Sequence, residues 1–358
     1  MYLHLKTWLR MTWLMLFHKP SFKRISFFLR FALLFQPVLI IVFISRLLDE
    51  LFFPGYRKVE IKKPVFIIGN PRSGTTFLYN LLALDKKRFA QPLLYQTLLC
   101  SIILYKLKAY YLMSWLNKFF ARFKKIHEVN LKESEEDVPF FFLTLLSPAM
   151  YLICPFPDKI PYLSLGDSLP HRTKQRLIKH YKRSLQRFMY AFGDGRTYLS
   201  KNVFSTGRIL MIKDAFPDAR IIYLIRHPYK SIPSLVSLYR SGWKLHSPEI
   251  GEKSPATRWI AGLAVKFYKH IHRNKNKFSK KSFLVVKFDD LIKNPKAEVR
   301  KIYKKLGMKI TPAFEKALNK EIREQKKHKS RHKYSLEQFG LSKKIIYKEL
   351  KEVINSYF

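Results

Sequence analysis

The run Pro64-Val65-Phe66-Ile67-Ile68-Gly69-Asn70-Pro71-Arg72-Ser73-Gly74-Thr75-Thr76-Phe77-Leu78 constrains this chain more than any other stretch. Val65 to Ile68 have the length and β-branched content of a strand buried on both faces, and the apolar run stops at Gly69. Beyond Thr76 the apolar residues Phe77, Leu78, Leu81, Leu82 and Leu84 recur at helical spacing, which predicts a helix with Ser73 or Thr75 available to cap its first turn. A strand, a glycine-bearing loop and a helix N-terminus together form an anion site, because unpaired N–H groups and the positive end of the helix dipole converge on one point. The expected ligand group is a phosphate.

Which phosphate compound is decided by how the loop departs from the triphosphatase pattern GxxxxGK[ST]. Gly69 and Gly74 keep the two-glycine frame, but Thr75 stands where a lysine would reach the outer phosphates, and Arg72 lies inside the loop. The loop is therefore wrong for ATP hydrolysis. Pro71-Arg72-Ser73-Gly74-Thr75-Thr76 resembles the 5′-phosphosulfate-binding loop of sulfotransferases, which bind 3′-phosphoadenosine-5′-phosphosulfate (PAPS). A second match lies in Ala219-Arg220-Ile221-Ile222-Tyr223-Leu224-Ile225-Arg226-His227-Pro228, followed by Ile232-Pro233-Ser234. Ile221 to Ile225 read as another buried strand closed by Arg226, and Ser234 falls eight positions later in a helical pattern. In sulfotransferases an arginine and a serine so placed hold the 3′-phosphate. The variant resembled is the bacterial branch with the PRSGTT loop, from about Lys62 to near the chain's end.

That resemblance implies an α/β fold: a P-loop-like parallel sheet flanked by helices, preceded here by an extra N-terminal helical appendage. It implies PAPS as co-substrate, with no metal. Arg72 would stand beside the leaving phosphate, Ser73, Gly74, Thr75 and Thr76 would cradle the 5′-phosphate, and Phe77 aligns with an aromatic that stacks on adenine. Arg226 and Ser234 would grip the 3′-phosphate. Arg331 or His332, in a segment that resembles the family's closing stretch, would add to that grip; a solvated charge run is the other reading. Lys201, in Tyr198-Leu199-Ser200-Lys201-Asn202, either faces the site or is a surface lysine. Catalysis needs a base for the acceptor proton, and a neutral imidazole suits it. His127 is the candidate, with Glu135 or Glu136 as the alternative; the block resembles a family motif whose proline is replaced here by Ser134.

The rest of the chain divides into 1–60, a basic and aromatic helical appendage; 61–310, the catalytic domain; and 311–358, a basic segment expected to close over the cofactor site. Thr173 to Phe192 predict an amphipathic helix, and Phe283 to Phe288 one more buried strand. Leu93 to Phe123 mix aromatics with lysines, suiting either a helical layer over the sheet or a greasy lid on an acceptor pocket.

Lys plus Arg number 68 against 25 Asp plus Glu, a net charge of +43. Anionic membrane, nucleic acid and a lysine-rich solvated surface compete to explain that excess. Trp8, Leu9, Trp13, Leu14 and Phe17 interleave with Lys6, Arg10, Lys19, Lys23 and Arg24, a composition suited to a membrane interface or to packing on the domain. Phe31 to Ser45 are uncharged but short for a span, and no signal-peptide cleavage pattern is evident. Two cysteines, Cys100 and Cys154, and no Asn-x-Ser/Thr acceptor point to the cytoplasm, with association to the cytoplasmic face of a membrane expected.

The expected function is transfer of a sulfuryl group from PAPS to a hydroxyl or amine of a lipid, glycan or small molecule. Peripheral membrane contact is expected and a nucleic-acid partner is not. The alternatives are a P-loop kinase or NTPase, and a basic membrane-associated binding protein with a degenerate fold. Oligomeric state is not legible.

Overall fold

The computed structural model describes residues 1–109, 137–325 and 334–358. His127, Glu135, Glu136, Arg331 and His332 lie outside the described residues, as does the aromatic stretch after Ala109.

Among the described residues, five parallel strands make one sheet in the order β2-β3-β1-β4-β5, where β1 is Val65–Ile68, β2 Phe89–Ala90, β3 Thr197–Lys201, β4 Arg220–Ile225 and β5 Phe283–Lys287. Alternate side chains feed two cores. Phe66, Ile68, Tyr198, Ile221, Tyr223 and Ile225 face the larger layer, with the helices His171–Phe192, Pro228–Trp243 and Pro255–Asn274. Val65, Ile67, Leu199, Ile222, Leu224 and Val286 face the smaller, with the helices Thr75–Ala83 and Pro295–Leu306. Burial on both faces is why β1 and β4 read as unbroken apolar runs. The expected strand 283–288 is an edge strand, only partly buried, and it stops at Lys287 because Phe288 opens a short helix to Lys293.

Register does the positioning. Ile67 pairs with Lys201 and Ile68 with Tyr223, so the carboxyl ends of β3, β1 and β4 reach one edge of the sheet. The turns after them open together at that edge, where the chain crosses from the β3 side of β1 to the β4 side.

The N-terminal appendage is a helical hairpin of α1 (Leu5–Phe17) and α2 (Phe22–Phe52). Trp8 packs on Phe28 and Phe35, with ring centroids 5.8 Å apart in both pairs. Where the sequence shows a 15-residue uncharged stretch too short to span, α2 is one continuous helix of 31 residues running through Pro37. Pro37 is tolerated because it lies on the exposed side, where the carbonyl it leaves unpaired is accessible to water.

Asp49 latches α2 to the domain. Its carboxylate accepts from Arg187 Nε at 2.9 Å, Ser101 Oγ at 2.9 Å, and the backbone N–H groups of Ile102 and Ile103. Helix Pro312–Gln325 packs on Pro295–Leu306, whereas helix Lys343–Tyr357 packs on Pro255–Asn274 and brings Phe358 to 4.8 Å from the His227 ring.

Candidate functional site

The loop from Gly69 to Gly74 is held from both sides of β1. Thr206 Oγ1 donates to the Gly69 carbonyl at 2.9 Å, and Asn70 Nδ2 donates to the Ala264 carbonyl at 3.0 Å. Ser73 N–H closes a turn on the Asn70 carbonyl. Both glycines are required. A Cβ on Gly69 would lie 2.4 Å from the Leu224 carbonyl oxygen, and one on Gly74 would lie 2.5 Å from the Phe288 ring. Gly74 also has φ +87°, and Arg72, at φ 69°, is a non-glycine in the same left-handed region.

The helix α3 (Thr75–Ala83) begins directly after this turn. Gly74 itself is the N-cap, so neither Ser73 nor Thr75 caps it, contrary to the sequence expectation. The reason is geometric: the left-handed turn puts Ser73 on the buried floor beside Tyr268 and makes Thr75 the first helical residue. The first N–H groups of α3 have no intrahelical acceptor and receive no side-chain cap. That is the arrangement an oxyanion completes.

Three of the expected binding side chains meet at this loop. Arg226, at the end of β4, donates through Nη1 to the Arg72 carbonyl at 2.9 Å. Arg72 in turn donates through Nε to Ser234 Oγ at 3.2 Å. Arg226 is held from behind: Tyr268 donates its hydroxyl to the Arg226 carbonyl, and the guanidinium stacks 4.4 Å over the Phe288 ring. Burial pushes the Arg226 guanidinium below the usual arginine value, and the nearby Arg72 adds to that push while Asp289 opposes it. Two guanidiniums this close, one partly desolvated, make a place where a bound phosphate relieves like-charge repulsion. Thr76 is exposed on the first turn of α3, and Phe77 beside it is half-buried against the smaller core.

Lys201 resolves in favour of the site. It is almost fully buried at the end of β3, and its Nζ donates to Thr76 Oγ1 at 3.0 Å. Three cationic side chains therefore gather where the loop meets α3: Arg72 from the loop itself, Arg226 from the end of β4 and Lys201 from the end of β3. Phe288, read in the sequence only as the end of a strand, is the ring on which Gly74 and Arg226 both rest.

Next to this lies a buried acceptor. Asp137 is fully buried and accepts from Tyr181, from Tyr198 at 3.1 Å, from Ser200 at 2.8 Å and from Asn202 at 2.7 Å. Its own N–H donates to the Lys201 carbonyl at 3.1 Å. Burial raises its pKa and the four donors pull it back. The last residue of the acidic block is thus fastened to the strand end that carries Lys201.

Comparison with known proteins agrees with this geometry. A family model described as the sulfotransferase family matches residues 64–312. Two curated relatives, the omega-hydroxy-beta-dihydromenaquinone-9 sulfotransferases Stf3 of Mycobacterium bovis and Mycobacterium tuberculosis, are each 26% identical over 257 residues, 68% of this chain. The match spans 63% of those relatives' length. Among solved structures, sulfotransferase STF9 from Mycobacterium avium superposes with a TM-score of 0.73 at 16% identity, covering 87% of this chain and 81% of that one. STF1 from Mycobacterium tuberculosis H37Rv gives 0.66 at 19% identity, covering 88% and 83%. At such identities the structural likeness shows the fold.

Proposed function

Because the chain belongs to the sulfotransferase family, we propose that it transfers the sulfuryl group of PAPS to a hydroxyl on a long apolar acceptor. The convergence of Arg226, Arg72 and Ser234 on one loop carries this reading, since it provides cationic and hydroxyl groups for a nucleotide phosphorylated at both ends.

The residues present fit such a donor. The two glycines let the loop pack directly on Leu224 and Phe288, and the uncapped start of α3 supplies N–H groups to the 5′-phosphate along with Ser73, Thr75 and Thr76. Arg226 and Ser234 hold the 3′-phosphate. When bound, the donor supplies an activated sulfonate, whose sulfur–oxygen bond to the 5′-phosphate breaks as an acceptor oxygen attacks in line, releasing adenosine 3′,5′-bisphosphate. Negative charge then grows on the departing phosphate, and Arg72 and Lys201 stabilise it. His127 takes the acceptor proton, with Glu135 or Glu136 as the alternative base. Arg331 or His332 completes the 3′-phosphate grip, and the unit 61–310 carries the chemistry.

The acceptor class comes from the curated relatives, whose name describes an omega-hydroxylated dihydromenaquinone, and from the apolar surface of the N-terminal hairpin. We therefore place the enzyme at a membrane surface facing the cytoplasm. The test is incubation of the full chain with sulfur-labelled PAPS and a membrane lipid extract. Label in the organic-soluble fraction supports the proposal. Label in none of the lipid, glycan or protein fractions, or magnesium-dependent ATP turnover instead, refutes it.

A further inference from the structure

Helix α2 is apolar on two opposite faces, and only one of them is covered. Phe28, Phe31, Phe35, Val38 and Val42 are buried in the larger core. On the other side Leu29, Leu33, Ile40, Ile44, Leu47 and Leu51 are exposed, Leu33 by 72% and Leu51 by 70%. At 100° per residue these six positions fall within an arc of about 60°. The neighbouring helix has an exposed apolar row of its own: Leu5, Leu9, Trp13 and Phe17 of α1, four residues apart in turn, are all exposed. An apolar stripe this long on a soluble surface marks a binding face.

Charge identifies what covers it. The first 48 residues contain no Asp or Glu at all. Lys6, Arg10, Lys19, Lys23 and Arg30 are exposed along the hairpin, while Asp49, the first acidic residue, is buried in its ion pair with Arg187. An apolar face with exclusively cationic flanks complements an anionic lipid surface, apolar residues entering the acyl boundary and cations meeting headgroups. We propose that the exposed stripe of α1 and α2 is a monotopic docking face for an anionic phospholipid bilayer.

By length and composition α2 could cross a bilayer. Its covered face argues against that. Crossing would strip Asp49 from Arg187, Ser101 and two backbone N–H groups, and Arg24 from Ser247 and Glu249. A broken buried ion pair leaves an uncompensated charge. The hairpin therefore lies flat, held by the domain on one side and by lipid on the other.

The covered face of the same helix is mechanically close to the chemistry. Phe31 and Phe35 meet Phe142 edge-on at 6.3 and 5.9 Å. Phe142 ends the short helix Pro139–Phe142, which starts two residues after Asp137, the residue bonded to Ser200 and Asn202 on either side of Lys201. A lipid acceptor leaving the bilayer under α2 would meet the layer that frames the transfer site. This deepens the proposed function and rests on it for its purpose, but its measurement does not: vesicle binding is read without donor or acceptor.

The experiment is co-sedimentation of the full chain with vesicles of phosphatidylcholine alone and of phosphatidylcholine with phosphatidylglycerol, at low and high salt. The expected result is binding to the anionic vesicles at least about tenfold tighter than to the neutral ones, weakened by salt. Leu33→Glu, Ile40→Glu, Leu47→Glu together should lower it by about tenfold or more, with stabilisation by adenosine 3′,5′-bisphosphate unchanged. Equal binding by that variant, a wild type that stays in the supernatant, a stable dimer that the variant dissociates, or resistance to extraction by salt and alkaline carbonate would each overturn the proposal. A chain that binds vesicles yet transfers no label would fail the enzymatic reading and keep this one.

Discussion

Arg226 Nη1 sits 2.9 Å from the backbone carbonyl of Arg72, so the end of β4 is tied directly to the middle of the glycine loop after β1. The two motifs lie 154 positions apart in the chain and touch in the fold.

Removing that guanidinium should be felt by the ligand before it is felt by the fold. Hydrogen bonds to charged groups contribute about 1.5–3 kcal/mol. Arg226→Ala is therefore expected to weaken adenosine 3′,5′-bisphosphate binding by about ten- to a hundredfold, measured by calorimetry. Arg226→Lys should recover only part, because a lysine cannot both stack on Phe288 and reach the Arg72 carbonyl in the same geometry.

Gly74 combines a positive φ with contact to the Phe288 ring, so Gly74→Ala meets two obstacles. The left-handed conformation costs about 1–2 kcal/mol and the collision about 1–3 kcal/mol. Chemical denaturation should show a loss of about 2–5 kcal/mol, the sum of those ranges. In a double-mutant cycle with Phe288→Ala the losses should be less than additive, since the shorter side chain removes the collision. Strict additivity would mean the ring is not what Gly74 avoids.

Lys201 separates binding from chemistry. Its Nζ bonds Thr76 at the start of α3, where charge develops on the leaving phosphate in the proposed reaction. Lys201→Met keeps length and removes charge. The rate of transfer should fall by about a hundredfold while KM for the donor changes much less. A change confined to KM would make Lys201 a binding residue only.

The sequence shows β1 at Val65–Ile68, where it is found, and β4 to within one residue, because strands buried on both faces are continuous apolar runs with abrupt ends. The role of Lys201 is ambiguous there. A lysine in a strand points inward or outward according to register, and register belongs to the sheet: only the pairing of Ile67 with Lys201 aims the side chain at Thr76. The role of Phe288 is invisible for the same kind of reason, since it depends on β5 lying beside β4. The appendage reads as either packed or interfacial, and its helices are packed on one side and open on the other, which composition does not distinguish. The helix cap fails because local propensity favours Ser73 or Thr75, whereas the turn needs Gly74 at a positive φ.

Acid should loosen the seat of α2 through His246. Its ring is stacked on Phe27 at 4.4 Å, its Nε2 donates to the Leu152 carbonyl, and its Nδ1 accepts from Ser247, whose oxygen accepts from Arg24. Burial, reinforced by Arg24, lowers the imidazole to about 4 despite the Leu152 bond. A histidine lowered on folding contributes stability above its unfolded value of 6.5, and that contribution is lost as pH falls from there toward 4. The full loss is about 3 kcal/mol, from roughly 2.5 pH units. Stability measured against pH should therefore decline across that window, and His246→Phe should flatten the decline relative to wild type. Parallel profiles for the two proteins would place the sensitivity elsewhere.

The central claim is that two distant strand ends form one site for a nucleotide phosphorylated at both ends, and calorimetric titration with adenosine 3′,5′-bisphosphate tests it most directly. The account predicts one site per chain, stabilisation of about 2.7 kcal/mol at a hundredfold excess over Kd, and loss of affinity when either Arg226→Ala or Ser234→Ala is combined with donor lacking nothing but its sulfonate. Absence of binding by the wild-type chain, or affinity unchanged from wild type in both Arg226→Ala and Ser234→Ala, would contradict it.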